Sequence, residues 1–116
     1  MRRMSFALTE RQLLAGHKTV TRRLGWRTLK AGDELLAVDK CMGLKKGQKQ
    51  RVLARIRIVS VRREPLFYAN EHEARAEGFP HMTGSEFVTY FARSMKCDPM
   101  TEVTRIEFEM LQKESA

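Results

Sequence analysis

The chain has 116 residues, and its 22 lysines and arginines outnumber its 14 aspartates and glutamates, which gives a formal charge of +8. This length supports one hydrophobic core and not two, so we expect a single domain over residues 1–116. No stretch approaches the roughly 20 apolar residues of a membrane span, and the start Met1-Arg2-Arg3 lacks the apolar run of a secretory signal. We therefore expect a cytoplasmic protein, and its charge favours a polyanion, nucleic acid first, as the partner.

The first predicted elements run from Met4 to Leu24. Residues 4–7 fit a short strand, and Thr9-Glu10-Arg11-Gln12 fits a capping box for a helix that ends at Gly16. From Thr19 onward the residues alternate as they do in a strand. One predicted face carries Thr19, Thr21 and Arg23, and the other carries Val20, Arg22 and Leu24.

Lys18 falls in the turn before this strand, close in sequence to two threonines and two arginines. A hydroxyl near a lysine can be activated as a nucleophile or can orient a substrate. An arginine offers a planar fork for a phosphate or a base carbonyl. The alternative is that Lys18, Arg22 and Arg23 are solvated surface charges, and the spacing alone leaves both interpretations open.

Two further strands, with a loop between them, are predicted in the middle of the chain. Residues 34–39 fit one strand, and residues 51–61 fit a long one, with the segment from Lys40 to Arg51 as a mobile, lysine-rich hairpin loop. The long strand points Val52, Ala54, Ile56 and Ile58 inward and Arg51, Arg55 and Arg57 outward. The loop either contacts an RNA backbone or only solubilises the protein. The residues predicted to bind nucleic acid are Lys45, Lys46, Lys49, Arg51, Arg55 and Arg57.

Two helices and a closing strand complete the prediction. Asn70 caps the first helix, which ends at Gly78, and Thr83-Gly84-Ser85-Glu86 is a capping box for the second. The second helix carries an apolar stripe that we interpret as core packing, made of Phe87, Val88, Phe91, Ala92 and Met95. Residues 103–110 alternate as a strand with one buried face, and residues 112–116 form a polar end.

Glu77 falls in the last turn of the first of these helices, where a carboxylate faces the negative end of the helix dipole. This placement costs a few tenths to about 1 kcal/mol unless a cation compensates. If the fold brings the turn that contains Lys18 close, an ion pair removes this cost and forms a cluster able to move protons. The alternative is a solvated surface glutamate.

The remaining signals are weaker. Trp26 either packs at one end of the domain, which we favour, or stacks on an unpaired base, and Phe79 has the same two interpretations. Cys41 and Cys97 are expected to be free thiols. The histidines His17, His72 and His81 lack metal-ligand spacing, so we expect neither a metal nor another cofactor. The sequence leaves the oligomeric state open, and a monomer is favoured.

Four blocks of sequence, in order, resemble the ASCH domain, a PUA-like family associated with RNA. The blocks are Gly16-x-Lys18-Thr19-x-Thr21-x-Arg23, residues 29–35 (LKAGDEL), residues 76–79 (AEGF) with 86–91 (EFVTYF), and residues 105–108 (RIEF). The resemblance covers about residues 4–111. It implies an α+β fold, a small PUA-like β-barrel of five or six strands with two or three flanking helices.

Within this family the chain resembles small bacterial amidohydrolases that remove the acetyl group from N4-acetylcytidine. The residues that carry the activity match Lys18, Thr21 and Glu77. The likeness implies that Thr21 attacks the acetyl carbonyl, that Lys18 acts as base or holds the developing charge, and that Glu77 passes a proton to the leaving nitrogen. Arg23 would hold the base or sugar, and the other candidate ligand-binding residues are Arg22, Thr19, Trp26 and Phe79.

Two features of the chain favour a longer ligand than a nucleoside. The smallest such hydrolases lack the long lysine-rich insertion, and a neutral nucleoside gains nothing from the counterion release that a strongly basic protein offers to a polynucleotide. The competing hypothesis is therefore an RNA-binding module, with or without ribonuclease activity.

Overall fold

Five strands and three α-helices make up residues 1–114, the part of the chain that this computed structural model describes. The strands are β1 (Arg3–Ser5), β2 (Val20–Arg23), β3 (Glu34–Val38), β4 (Val52–Pro65) and β5 (Glu102–Lys113). The helices are α1 (Glu10–Leu14), α2 (Glu71–Ala76) and α3 (Gly84–Met95), and a 3-10 helix covers Leu66–Tyr68. The predicted α+β class is confirmed, and the observed counts fall within the predicted five or six strands and two or three helices. Among the described residues, no helix combines the length and the apolar character needed to cross a bilayer.

The strands form one curled sheet in the order β1-β3-β4-β5-β2. β1 runs parallel to β3, and the other neighbours are antiparallel. The curl brings the two sheet edges together, because the Phe6 ring, just beyond β1, lies 5.6 Å from the Phe108 ring and 4.9 Å from the Arg23 guanidinium of β2. Within residues 1–114 no strand ladder joins β1 to β2, so the barrel stays open along this seam.

Both faces of β2 are buried, and its pairing with β5 shows which face each side chain is on. Thr21 pairs with Ile106 of β5, and Arg22 pairs with Arg105. Paired residues share a face of an antiparallel sheet, so Thr21 points with Ile106 into the inner core and Arg22 points to the opposite face. The inner core includes Phe6, Leu35, Ile56, Ile58, Ile106 and Phe108. A second core under α2 and α3 includes Leu66, Ala74, Phe87, Phe91 and Val103.

β4 reverses its inward side part-way along. Ile58 pairs with Phe108, but Ser60 pairs with Glu107, which leaves Val59 as an extra residue in the ladder. Such a bulge shifts every later side chain to the other face. Glu64 therefore lies on the same side of the sheet as Arg22, under the helices, instead of on the inner-core side.

The helix-start predictions had mixed outcomes. Glu86 N donates to Thr83 Oγ1 at 3.1 Å and Thr83 N donates to Glu86 Oε1 at 2.8 Å, so this capping box is confirmed. Asn70 Oδ1 accepts from Glu73 N at 2.9 Å, as predicted. The capping box at Thr9 was wrong, because this side chain makes no cap hydrogen bond. It is buried against the pocket described below.

The alternation predicted for the long strand is confirmed from Ala54 to Ile58, although β4 begins after Arg51 and continues to Pro65, and the prediction for the closing strand was wrong in part. Arg55 and Arg57 are exposed between buried neighbours, as the alternation in β4 predicts. In β5 the prediction of one buried face was wrong over its first half, where Val103, Thr104 and Arg105 are all buried. The second face is covered there because α2 and α3 pack against it.

The lysine-rich segment joins β3 to β4, which pair antiparallel as predicted for a hairpin. The Asp39 carboxylate closes the base of the loop, since it accepts from the backbone N–H groups of Lys40 at 2.8 Å and Arg51 at 2.9 Å. The loop start lies beside β1, where Ser5 Oγ donates to the Asp39 carbonyl at 3.4 Å. The basic loop therefore leaves the sheet next to the open seam.

A candidate active site at the open seam

A pocket of about 160 Å³ opens at the seam between the end of β1 and strand β2, with α3 over it. Its apolar walls are aromatic: Phe6, Phe79, Phe87, Tyr90 and Phe91. Its polar groups are Lys18, Thr21, Arg22, Arg23 and Glu77, with Ser5, Thr9 and Ser94 also in the wall. Pockets that bury a whole drug-sized molecule run from about 300 to 1,000 Å³, so this one takes a smaller group, on the scale of a nucleobase substituent and part of its ring.

The ion pair between Lys18 and Glu77 lies in the pocket wall. Lys18 Nζ donates to Glu77 Oε1 and to the Glu77 carbonyl, both at 2.8 Å, and each side chain is less than 5% exposed. Burial lowers the pKa of Lys18, and the negative charge and hydrogen bond of Glu77 oppose that change. Lys18 is therefore a lysine that gives up its proton more readily than a solvated one, held in one orientation.

Two glycines allow the turn of Lys18 to meet the end of α2. Gly16 (φ +79°) ends α1, and Thr19 N donates to the Ala76 carbonyl at 2.8 Å, which ties the turn to α2. Gly78 follows α2 with φ +101°, and a Cβ added there would lie 2.8 Å from Gln12 Cβ and 3.5 Å from Lys18 Cβ. A side chain at this position would clash with Gln12 of α1, the helix that leads into the turn of Lys18, and would be strained by the positive φ.

The hydroxyl of Thr21 lies in the same pocket. Arg23 Nε donates to Thr21 Oγ1 at 3.1 Å, and within residues 1–114 the structure shows no acceptor for the proton of this hydroxyl. Burial lowers the pKa of Arg23 to about 10, with Glu77 opposing. A group that enters the pocket therefore meets a hydroxyl, an ammonium paired with a carboxylate, and a guanidinium.

At the back wall of the pocket Arg22 connects three glutamates. Its side chain is completely buried, and it donates to Glu77 Oε2 at 3.2 Å, to Glu73 Oε1 at 2.7 Å and to Glu64 Oε2 at 3.1 Å. Arg105 donates to both oxygens of Glu73, at 2.6 and 3.1 Å. The hydrogen bonds from Arg105, and to a smaller extent that from Arg22, lower the pKa of Glu73 to about 2. The pairing with Glu73 also raises the pKa of Arg105. Arg22 Nε is buried without a hydrogen-bond partner.

The structure brings six of the eight predicted catalytic and ligand-binding residues to the pocket: Lys18, Thr21, Glu77, Arg22, Arg23 and Phe79. Thr19 is exposed outside its lining. Trp26 also lies outside it and packs against the inner core, with φ +59° and the Arg2 guanidinium 5.4 Å from its ring. The three cations Lys18, Arg22 and Arg23 are not solvated surface charges, because Lys18 and Arg22 are buried against carboxylates and Arg23 is half-buried and bonded to Thr21.

The six basic residues predicted to bind nucleic acid fall into two groups. Lys45, Lys46 and Lys49 are exposed in the β3–β4 loop, and no carboxylate among residues 1–114 lies within 4.0 Å of their ammonium groups. The three arginines all form exposed ion pairs: Arg51 with Glu10, Arg55 with Glu34 at 3.0 Å, and Arg57 with Glu109. Their charge is already compensated, whereas that of the loop lysines is not.

Sequence reasoning missed Phe6, Tyr90, Glu64, Glu73 and Arg105 as neighbours of the site. One usable signal was the spacing of Glu73 and Glu77, because residues four apart lie on the same helix face. For Phe6 and Tyr90 the sequence pattern indicated only ordinary aromatic residues of the core or the surface, with no link to the site. Within residues 1–114, no three His, Cys, Asp or Glu side chains are grouped so as to hold a metal ion.

Comparisons with known proteins identify the fold. No protein-family model and no curated protein sequence matches the chain. A crystal structure of a DUF984-family protein from Enterococcus faecalis aligns with a TM-score of 0.66 and 19% identity over 97% of this chain and 77% of that protein. The ASCH domain from Lactobacillus crispatus aligns with a TM-score of 0.64 and 14% identity over 96% of this chain and 79% of that domain. The chain therefore has the fold of an ASCH domain, as its resemblance to that family predicts.

Proposed function

We propose that the chain is a member of the ASCH family and an amidohydrolase that removes the acetyl group from N4-acetylcytidine or from a similar acylated base. The observation that carries this proposal is the buried Lys18–Glu77 ion pair, in a pocket that also contains the Thr21 hydroxyl. These three residues match the catalytic residues of the hydrolases that the sequence resembles. A nucleophile, a proton acceptor and a carboxylate within one pocket are the parts that amide hydrolysis by a covalent route requires.

The first half of the reaction transfers the acetyl group to Thr21. Thr21 Oγ1 attacks the acetyl carbonyl carbon while its proton passes to the neutral amine of Lys18, a form that the lowered pKa makes easier to reach than in a solvated lysine. The bond between the carbonyl carbon and the exocyclic nitrogen then breaks, and Glu77 passes the proton from Lys18 to that nitrogen. Cytidine leaves with a free amino group, and Thr21 carries an acetyl ester.

The second half restores the enzyme. A water molecule attacks the ester carbonyl and gives one proton to Lys18, and the bond between Thr21 and the acetyl group breaks. Thr21 recovers a proton, and acetate leaves together with one proton released to solvent. Arg23 orients the Thr21 oxygen in both halves through its hydrogen bond from Nε.

The shape of the pocket supports an acylated base as substrate. Phe79 and Tyr90 lie 5.1 Å apart between ring centroids at the pocket wall, and they offer aromatic faces to a planar base. The volume accommodates the acetyl group and part of the base, so the sugar stays outside at the mouth. The pocket would therefore accept the acylated base of a free nucleoside and that of a nucleotide in a strand in the same way.

The test is hydrolysis of N4-acetylcytidine by the purified protein, with the product separated by chromatography. Thr21→Val and Lys18→Met should each lower kcat by at least about 100-fold, because nucleophile and base act in the chemical step. Thr104→Val is the matched control, since Thr104 is equally buried but lies outside the pocket lining. The control should retain the rate of the parent per folded molecule. Full activity in Thr21→Val and Lys18→Met would refute the proposal.

A second candidate function is an RNA-binding module, with or without strand cleavage. The observation that favours it is the exposed loop that carries Lys45, Lys46 and Lys49 with no carboxylate near them in the described chain. Uncompensated lysines in a loop that leaves the sheet beside the open seam suit a phosphate backbone, one of whose bases reaches the pocket at that seam.

A further inference from the structure

Arg23 differs from the other two cations of the pocket in the donors that it leaves free. Lys18 pairs with Glu77, and Arg22 is shared among three glutamates. Arg23 uses Nε for Thr21, and within residues 1–114 neither of its terminal nitrogens has a hydrogen-bond acceptor. No carboxylate of the described chain lies within 4.0 Å of its guanidinium. The pocket therefore contains one arginine fork that the protein itself does not occupy.

The surroundings of this fork fit a small carboxylate. The Arg23 guanidinium lies over the Phe6 ring, 4.9 Å from its centroid, a cation–π contact that uses none of its terminal donors. Two parallel N–H groups match the two oxygens of a carboxylate. The aromatic walls of the pocket can contact a short alkyl group attached to that carboxylate.

We propose that the two terminal nitrogens of Arg23 form a carboxylate-binding subsite and that this subsite holds acetate next to Thr21. The proposal rests on the proposed function only for the origin of the acetate, which the reaction would release beside Arg23. Binding of added acetate requires no catalysis. The lowered pKa of Arg23 agrees with a guanidinium whose charge is enclosed and incompletely compensated. If the hydrolase assignment is also correct, acetate inhibits its own production.

The experiment is a titration of the protein with sodium acetate, followed by the Nε–H signal of Arg23 in 1H-15N NMR spectra. Sodium chloride at matched ionic strength is the control for screening. The expected result is a saturable shift with a midpoint in the millimolar range, absent with chloride. Arg23→Gln should abolish saturable binding, reported in that variant by the amide signals of β2. Arg23→Lys should weaken it by at least about tenfold, because a lysine keeps the charge but not the fork.

Arg63→Gln is the matched control variant. Arg63 also lies on a strand of this sheet, but its terminal nitrogens already donate to the carbonyls of Leu24 and Glu102 and to Thr104. Acetate should bind this variant as it binds the parent. Amide spectra of all variants report whether each is folded, and Arg23→Lys keeps the test decisive if Arg23→Gln does not fold.

The outcomes separate this inference from the proposed function. Saturable acetate binding that depends on Arg23, in a protein that hydrolyses no acylated cytidine, would support the subsite and refute the hydrolase. Hydrolysis without saturable acetate binding would refute the subsite and leave the hydrolase standing. Acetate binding that is equal in Arg23→Gln and in the parent would also refute the subsite.

Discussion

Arg22 shows how single residues hold the site together. It has no exposed side-chain surface, and it compensates part of the charge of Glu64, Glu73 and Glu77. Charges in such a place are costly to desolvate, and each one depends on its partners. The orientation of Glu77 towards Lys18 therefore depends on an arginine in the same pocket wall.

Replacement of Arg22 by methionine should lower the free energy of unfolding by about 3–5 kcal/mol, because three buried carboxylates lose a shared cation. Urea denaturation at neutral pH measures this change. Arg57→Met is the control, since it breaks an exposed pair with Glu109 and should cost no more than about 1 kcal/mol. A loss in Arg22→Met as small as the loss in Arg57→Met would contradict the interpretation.

Glu73 makes a separate prediction about acid stability. Its pKa is lowered from 4.5 to about 2, mainly by the hydrogen bonds from Arg105. A lowered folded-state pKa gives stability that is fully present above the unfolded value and is lost as the pH falls towards the folded value. Unfolding free energies of the parent should therefore decrease between about pH 4.5 and about pH 2, and those of Glu73→Gln should decrease less steeply. Equal slopes would exclude Glu73 as the source.

The sequence predicted one buried contact of this cluster and not the others. The dipole argument at the end of α2 indicated a cation opposite Glu77, and Lys18 Nζ lies 2.8 Å from Glu77 Oε1. The contacts among Arg22, Glu64 and Arg105 come from β2, β4 and β5, whose side-chain directions depend on register. Register is a tertiary property, so alternation within one strand could not reveal them.

At the scale of elements, α2 and α3 meet with almost no space between them. A Cβ added to Gly84, the first residue of α3, would lie 2.6 Å from the Ala69 carbonyl oxygen and 2.7 Å from Asn70 Cα. Both neighbours are backbone atoms next to the cap of α2, so they cannot rotate away. The capping box at Thr83 was visible in the sequence, whereas the need for glycine after it follows from the packing of two helices.

Gly84→Ala should therefore lower the free energy of unfolding by about 1–3 kcal/mol, the cost of overpacking, although alanine is the better helix former. Gly25→Ala is the control, because nothing lies within 4 Å of its added Cβ and its φ is not in the left-handed region. It should change stability by less than about 0.5 kcal/mol. Thermal or urea unfolding measures both, and a neutral Gly84→Ala would contradict the described contact.

At the scale of the whole molecule, the net charge of +8 is unevenly available to a ligand. Three exposed arginines already form ion pairs with glutamates: Arg51, Arg55 and Arg57. The buried cations of the pocket are likewise paired inside the protein. The loop lysines Lys45, Lys46 and Lys49 are exposed with no carboxylate near them in the described chain. Composition predicted a polyanion partner, but only the structure distinguishes these two groups.

If the protein binds single-stranded RNA, the slope of log K against log salt should decrease in magnitude by about 2 when Lys45, Lys46 and Lys49 are replaced together by glutamine. Replacement of Arg51, Arg55 and Arg57 by glutamine removes the same total charge and should change the slope much less. Fluorescence anisotropy at several salt concentrations measures both. Equal changes would mean that only net charge matters, and no salt dependence in the parent would exclude RNA binding through phosphates.

The extra residue Val59 in β4 also limits how the length of this protein can change in evolution. One residue removed at the bulge would leave Glu64 paired with Val103 and on the side of Arg22, whereas one residue added between Ser60 and Glu64 would turn Glu64 to the inner face and take a carboxylate away from Arg22. Insertions among related sequences should therefore accumulate in residues 40–51, where the chain loops outside the sheet, and be absent from this stretch of β4.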